Sequence, residues 1–328
     1  MSSRRFNLVL VLWTEHPATE SDLRAIVERV PQINPDVQAF LVRHHKIDQL
    51  KLFRTWREPT LSVSFFRLQK RKLLPGRFLC GQYLHKHGEY ARLDAAGIPV
   101  PPWTLITQDT RLDPAVWGPY VVEKPAMGRQ GANIRIRRTT RLGYVPPESL
   151  PEGHLGRTGP MIAQQFIYTG EWPTSYRVIT LFGRALLCYR QVTRSNSAPL
   201  RGRWDFKASG GMSIVSNTMR MTAELANDSD VIALAERAHR EAFFDFPVLA
   251  FDIIRDAETG AVYVLECHAQ GSWMFTSDTG VGIERANNID FRSQFDPIEK
   301  AAQILARETV LRAAIVRPPL TSVNAEAA

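Results

Sequence analysis

Cysteine is scarce in this chain: Cys80, Cys188 and Cys267 are the only three in 328 residues. They are scattered, odd in number and free of C-x-x-C spacing, which excludes a disulfide framework or a structural zinc and fits a reducing compartment. Long apolar runs are also missing. The stretch Leu8 to Trp13 is far too short to span a bilayer, and no small-residue cleavage site follows it. A soluble, cytoplasmic protein without a membrane partner is therefore expected. There is no internal repeat and no heptad array. Nucleic acid is not an expected partner either, since neither an aromatic RNA-binding signature nor a helix-turn-helix pattern occurs.

What the chain has is an ordinary globular share of hydrophobic residues, 44%, and a basic balance of 41 Lys and Arg against 33 Asp and Glu, a net charge of +8. That surplus favours anionic partners such as nucleotides or acidic peptides. The pattern along the chain is α/β. Phe6 to Trp13 reads as a buried strand, Thr19 to Val30 as a helix with Leu23, Ile26, Val27 and Val30 on one face, and Val37 to Val42 and Leu61 to Phe66 as further strands. This order predicts a small module with parallel pairing. His44 and His45 have no third ligand nearby and read as surface residues. Pro75-Gly76 marks a domain edge.

Tyr83 to Ala96 then reads as a helix carrying Lys86, stopped by Gly97 and the prolines at 99, 101 and 102. The strand Tyr120 to Pro125 delivers Lys124 to a turn containing Gly128 and Gly131, where backbone could approach phosphate oxygens. Taken alone, the same residues also describe an ordinary hairpin turn. Arg135, Arg137, Arg138 and Arg141 follow as a solvated strand face. Met161 to Ile167 is a strand, and Val178 to Tyr189 a strand pair about Phe182-Gly183-Arg184. Residues 143–160, 190–210 and Gly271 to Glu284 read as loops, Asp230 to Phe243 and Pro297 to Ala314 as helices.

The densest chemistry lies in Phe251 to Ser272, FDIIRDAETGAVYVLECHAQGS. It predicts a β-hairpin turning at Glu258 to Gly260, with Asp252 opposite Glu266 and with Glu266 and His268 on one face. Carboxylates inside apolar strands need a cation to offset their desolvation, and a hard divalent metal is the usual one. A solvent-facing hairpin would show the same alternation. Cys267, pointing to the other face, is expected in the core.

The helix with Lys86, the GIPVP turn, VVEKP with its glycine loop, IAQQFI, SYRV and the pair D…LECH together form one ordered pattern. It resembles the ATP-grasp superfamily, and within it the α-L-glutamate ligases (RimK-like) and other carboxylate-amine ligases, over about Gln82 to Ala314. The resemblance implies an α/β (α+β) ATP-grasp architecture. A Rossmann-like pre-ATP-grasp domain would occupy residues 1–76. An ATP-grasp domain would follow at 77–315, its lid subdomain about 104–167 and its C-terminal subdomain about 168–315 clasping the nucleotide, with a flexible tail at 316–328.

The resemblance also implies residue roles. Lys86 and Lys124 would contact nucleotide phosphates with Gly128 and Gly131, Gln165, Phe166 and Ile167 would hold adenine, and Glu171 or Ser175 the ribose. Asp205 to Ser209 matches a segment that sets Lys207 near the phosphates. Asp252, Glu266 and His268 match the metal triad, for Mg2+ or Mn2+, although the family ends that triad in Asn, and an imidazole suits manganese better than magnesium. Arg177 and Arg190 would hold an acyl phosphate or an acidic substrate.

The implied activity is ATP-dependent amide formation through an acyl phosphate, with release of ADP and phosphate, on a small-molecule or peptide carboxylate and an amine acceptor. A homo-oligomer is typical of the family. The family ends the 205–209 segment in Asn as well, and with His268 and Ser209 in those places one alternative is a catalytically impaired nucleotide-binding regulatory protein; another is a phosphotransferase on the same scaffold acting on a hydroxyl.

Overall fold

Seven consecutive buried residues, all apolar but Asn7, form the first strand, β1 (Phe6–Leu12), as expected of a strand covered on both faces. In the computed structural model, which describes residues 5–12, 17–44, 58–68, 74–128, 132–193, 202, 221–268 and 273–313, β1 pairs in parallel with β2 (Val37–Arg43) and β3 (Thr60–Arg67). Helix α1 (Pro17–Ile33) makes the crossover and buries Leu23, Ile26 and Val30. The sheet order is β2-β1-β3-β4, with β4 (Arg77–Gly81) a strand the sequence pattern did not signal.

By its internal contacts the chain divides into two compact units, residues 1–80 with 298–328 and residues 81–297. The last helix, Pro297–Ala313, is thereby grouped with the first unit, where Glu299 pairs with Arg29 of α1 at 2.6 Å. The sequence reading had assigned that helix to the second domain.

The second unit holds two antiparallel sheets. One has the order β5-β8-β6-β7, from β5 (Trp103–Leu105), β6 (Tyr120–Pro125), β7 (Arg135–Arg138) and β8 (Met161–Gln165). The other has the order β11-β10-β9-β12-β13, from β9 (Thr174–Leu181), β10 (Arg184–Thr193), β11 (Met221–Leu225), β12 (Val248–Arg255) and β13 (Val262–His268). Helix α2 (Lys86–Ala95) precedes the first sheet, the single turn α3 (Pro114–Trp117) lies between β5 and β6, and α4 (Ser229–Ala242) leads into β12.

Along α4, Val231, Leu234, Ala235, Ala238 and Ala242 recur at helical spacing and are buried with Val178, Phe251, Ile253, Val264 and Cys267 of the five-stranded sheet. The other face of that sheet carries buried Ile179, Leu181 and Leu187 at one end and polar groups at the other. The expected hairpin is β12 and β13, with Asp252 opposite Glu266, but the register slips between Asp252 and Ile253, which lies opposite Val264. Leu265 is the extra residue of a β-bulge. It lets Val264 pack into the core while Glu266, two residues on, keeps the opposite face.

The segment read as a loop from Gly271 is folded where it is described. Met274–Thr276 forms a 3-10 turn and Asp278–Asn287 a helix, α5, capped by the Ser277 hydroxyl, which accepts from the Gly280 amide at 3.0 Å. The final helix is thus α6 (Pro297–Ala313). The two glycines inside this helix have different reasons to be there. A Cβ at Gly280 would lie 2.0 Å from the Met274 carbonyl oxygen, whereas one at Gly282 would meet nothing within 4 Å. No helix among the described residues is long and apolar enough to cross a membrane.

This contrast gives a paired prediction. Gly280→Ala should destabilise the protein by about 3 kcal/mol through overpacking against backbone, while Gly282→Ala should stabilise it by about 0.5–1 kcal/mol through helix propensity. Urea unfolding of the two variants measures both signs.

Candidate active site

Directly opposed residues of an antiparallel sheet share a face, so the pairings Tyr189 with Arg177, Arg177 with Asp252 and Asp252 with Glu266 lay four polar side chains in one row across β10, β9, β12 and β13. His268 stands two residues beyond Glu266 on the same side. The ligand atoms of Asp252, Glu266 and His268 lie within 4.8 Å of one another. The side chains interlock. Arg177 donates from Nε to Asp252 Oδ1 at 2.7 Å and from a terminal nitrogen to Oδ2 at 2.8 Å, and His268 Nε2 lies 3.0 Å from that Oδ2. Burial alone would raise the Asp252 carboxyl, but the Arg177 charge and then that of His268 hold it well below the usual carboxylate range.

Helix α2 supplies the second half of the centre. Its first residue, Lys86, has its backbone N–H on the Ala126 carbonyl at 3.0 Å, which fixes the helix N-terminus to the loop after β6. Its Nζ pairs with Glu266 and lies 3.4 Å from the Gly128 carbonyl oxygen. Burial favours the neutral amine of Lys86, yet Glu266 and Glu89 raise its pKa above the ordinary value. Glu266, despite its own burial, is lowered by His268 and Lys86. One turn on from Lys86, Glu89 is buried, accepts from the Cys267 amide at 3.4 Å, and is raised to about 7 by burial and by the Glu266 charge.

Lys124 arrives from the smaller sheet. Its Nζ donates to Gln164 Oε1 at 2.7 Å and to the Tyr90 hydroxyl, which in turn donates to the Leu265 carbonyl at 2.8 Å. Burial lowers Lys124 to about 8. Lys86 and Lys124 are thus drawn to the same centre from a helix and a separate sheet. Gly128, at φ +150, admits no Cβ without displacing the Leu155 side chain 2.8 Å away.

The remaining expected residues are placed as follows. Ser175 is buried on the row's face, opposite Gln191. Glu171 is exposed beyond the smaller sheet. Gln165 closes β8, while Phe166 and Ile167 lie past the strand end, and the amides of Gln165 and Phe166 are engaged by the carbonyls of Pro102 and Tyr120. Gly131, Lys207 and Ser209 lie outside the described residues.

Arg190 is not brought to the centre. It lies opposite Tyr176 on the helix-covered face and pairs with Glu224 at 2.6 Å, because strand alternation sets residues 189 and 190 on opposite sides. Arg177 is present, but spends its fork on Asp252. Cys267 is buried in the core, as its alternation predicts.

Glu89, Tyr90 and Gln164 were missed by the sequence reading. Glu89 and Tyr90 stand three and four residues after Lys86, one helical turn, which was a usable signal. Tyr189, Gln191 and Thr193 alternate along β10 on the row's face, and Tyr189 Oη, Gln191 Nε2 and Thr193 Oγ1 are buried without a hydrogen bond among the described residues. Burial pushes the Tyr189 phenol up to about 12, with the Arg177 charge opposing.

Fold and site together define a mixed α/β protein with a buried carboxylate–cation centre on one face of an antiparallel sheet. No family model matches the chain, and no curated protein matches it. Solved structures with a similar fold include D-cycloserine synthetase DcsG, at 15% identity over 92% of this chain and 99% of that one, with a TM-score of 0.49. The ATP-grasp ligase PsnB complexed with a minimal precursor is 15% identical over 94% and 99%, with a TM-score of 0.48. A RimK domain protein of the ATP-grasp type from Sphaerobacter thermophilus is 14% identical over 93% and 99%, with a TM-score of 0.47.

Arg177→Leu would leave Asp252 buried without its main counter-ion and should cost about 3–5 kcal/mol. The pH dependence should also flatten. In the wild type, Asp252 contributes stability above its unfolded pKa of about 4, lost as pH falls further. In the variant only His268 still lowers its folded pKa, so less stability should be lost in that window. Glu89 is expected to act in the opposite sense. Its folded pKa near 7 lies above the ordinary 4.5, so it favours folding as pH falls through that window, and Glu89→Gln should remove the gain. Urea unfolding at several pH values reads both effects.

Proposed function

We propose that the protein is an ATP-dependent carboxylate-amine ligase that activates a carboxylate as an acyl phosphate, joins it to an amine, and releases ADP and phosphate. The observation that supports this reading is the convergence of Lys86 and Lys124, from α2 and β6, on the centre containing Asp252, Glu266 and His268. Phosphoryl transfer asks a protein for positioning and charge neutralisation more than for covalent chemistry. Two lysines beside two carboxylates and an imidazole meet that need.

In this reading Lys86 and Lys124 take the nucleotide phosphates, joined by Lys207, with Gly128 and Gly131 as further contacts. Asp252, Glu266 and His268 would hold a divalent cation, and the donor set fits one: two carboxylate oxygens and a ring nitrogen from adjacent strands. Bound there, the cation supplies charge neutralisation between phosphate oxygens. Arg177 acts through Asp252, whose carboxylate plane it fixes, so gripping the acyl phosphate is not its part. Gln165 to Ile167 border the adenine, Ser175 or Glu171 the ribose. The substrates are an amino acid, a peptide or another small acidic molecule in the cytoplasm.

A second reading, a nucleotide-binding regulatory protein, is favoured by one observation: both ligand carboxylates already carry an internal counter-ion, Arg177 on Asp252 and Lys86 on Glu266. The test is to incubate the purified protein with ATP, Mg2+ or Mn2+, hydroxylamine and a pool of amino acids and acidic peptides, measuring ADP and hydroxamate together. Both should appear, and Lys124→Met should lower the rate by about 100-fold or more, as expected for loss of a charge aimed at the transition state. ATP raising the melting temperature without either product would favour the regulatory reading.

A further inference from the structure

We infer that the centre on β12 and β13 selects a cation that accepts nitrogen, Mn2+ before Mg2+, and that His268 is the residue that sets this preference. The inference rests on the nucleotide-and-metal reading above and names which metal its site would take.

The geometry assigns His268 as a ligand on three counts. The atom that faces Asp252 is Nε2, the ring nitrogen farther from the backbone, and a ring nitrogen of His268 lies within 4.8 Å of a carboxylate oxygen of both Asp252 and Glu266. Its 3.0 Å separation from Asp252 Oδ2 is a hydrogen-bond distance, and it leaves the two atoms close enough for one cation to reach both. Asp252 is already oriented by the two bonds from Arg177, so Oδ2 is aimed at the imidazole before anything binds. Second-partner anchoring of a ligand carboxylate is how proteins fix metal geometry.

The donor chemistry then decides between cations. Mg2+ demands oxygen ligands and gives up its waters reluctantly, so an imidazole in its shell is a poor substitute for an oxygen. Mn2+ accepts imidazole and still binds phosphate oxygens, and affinity for nitrogen rises further along the first transition row. Arg177 and Lys86 offset the charge of the two carboxylates, so purely electrostatic attraction for any divalent ion is reduced. With that general attraction weakened, the nitrogen bond becomes a larger share of the difference between metals. The selectivity ratio, more than the absolute affinity, is the signature.

The measurement uses the full-length protein and the metals alone, without nucleotide. Free Mn2+ is followed by electron paramagnetic resonance during titration, Mg2+ is used as competitor, and pulsed resonance of the bound Mn2+ reports coupling to nitrogen-14. The wild type should bind Mn2+ with nitrogen coupling and at least about tenfold more tightly than Mg2+. His268→Asn should abolish the coupling and weaken Mn2+ by about tenfold, while leaving Mg2+ affinity within about threefold.

Mn2+ bound without nitrogen coupling would overturn the inference, as would an unchanged Mn2+ to Mg2+ ratio in a folded His268→Asn protein. Because the coupling is read on the wild type, the conclusion does not depend on the variant folding. Nitrogen-coupled Mn2+ in a protein that forms neither ADP nor hydroxamate would leave the metal assignment standing and remove the ligase reading instead.

Discussion

Burying charge is the constraint around which the second unit is organised. Asp252, Glu266 and Glu89 are taken largely out of water, and an unpaired carboxylate in such a place costs several kcal/mol. Each is offset in a different way. Asp252 has a guanidinium fork and an imidazole, Glu266 has an ammonium, and Glu89 has a backbone amide and a pKa raised to about 7, so that it is about half protonated at neutral pH. Four elements, α2, β9, β12 and β13, must therefore be held in register before any carboxylate is satisfied. The apolar contacts of α4 with the other face of the sheet supply that register.

The sequence carried the pairing of Asp252 with Glu266 because it is local: two β-rich runs, one turn and strict alternation. It did not carry the bulge at Leu265, because nothing in VYVLECH distinguishes a regular strand from one with an inserted residue. Lys86 and Lys124 were found through the order of motifs along the chain, since a lysine in a helix or beside a glycine turn says little by itself. Arg190 was misplaced because the strand reading stopped at Tyr189, whereas β10 runs on to Thr193 and its alternation turns Arg190 to the face opposite Arg177.

Other omissions arise where tertiary packing overrides local propensity. Two glycines, a threonine and an aspartate near Gly280 read as a loop, yet the helix forms because Ser277 caps it and the close approach to Met274 requires a residue without a side chain. Strand β4 was hidden by the adjacent Pro75-Gly76, and its identity comes from the neighbouring strands of its sheet. Glu89 and Tyr90 were hidden in another way. They looked like ordinary helix residues, and only the arrival of β13 and Lys124 from elsewhere in the chain gives them partners.

The Tyr90 hydroxyl sits at a mechanical junction. It receives the ammonium of Lys124, a member of the smaller sheet, and passes its own proton to the carbonyl of Leu265, the bulged residue next to Glu266. A phenol ring is a stiff strut, and the residue it touches is the one left without a partner across the hairpin. A single chain of hydrogen bonds thus ties β6 of the smaller sheet to the peptide next to Glu266.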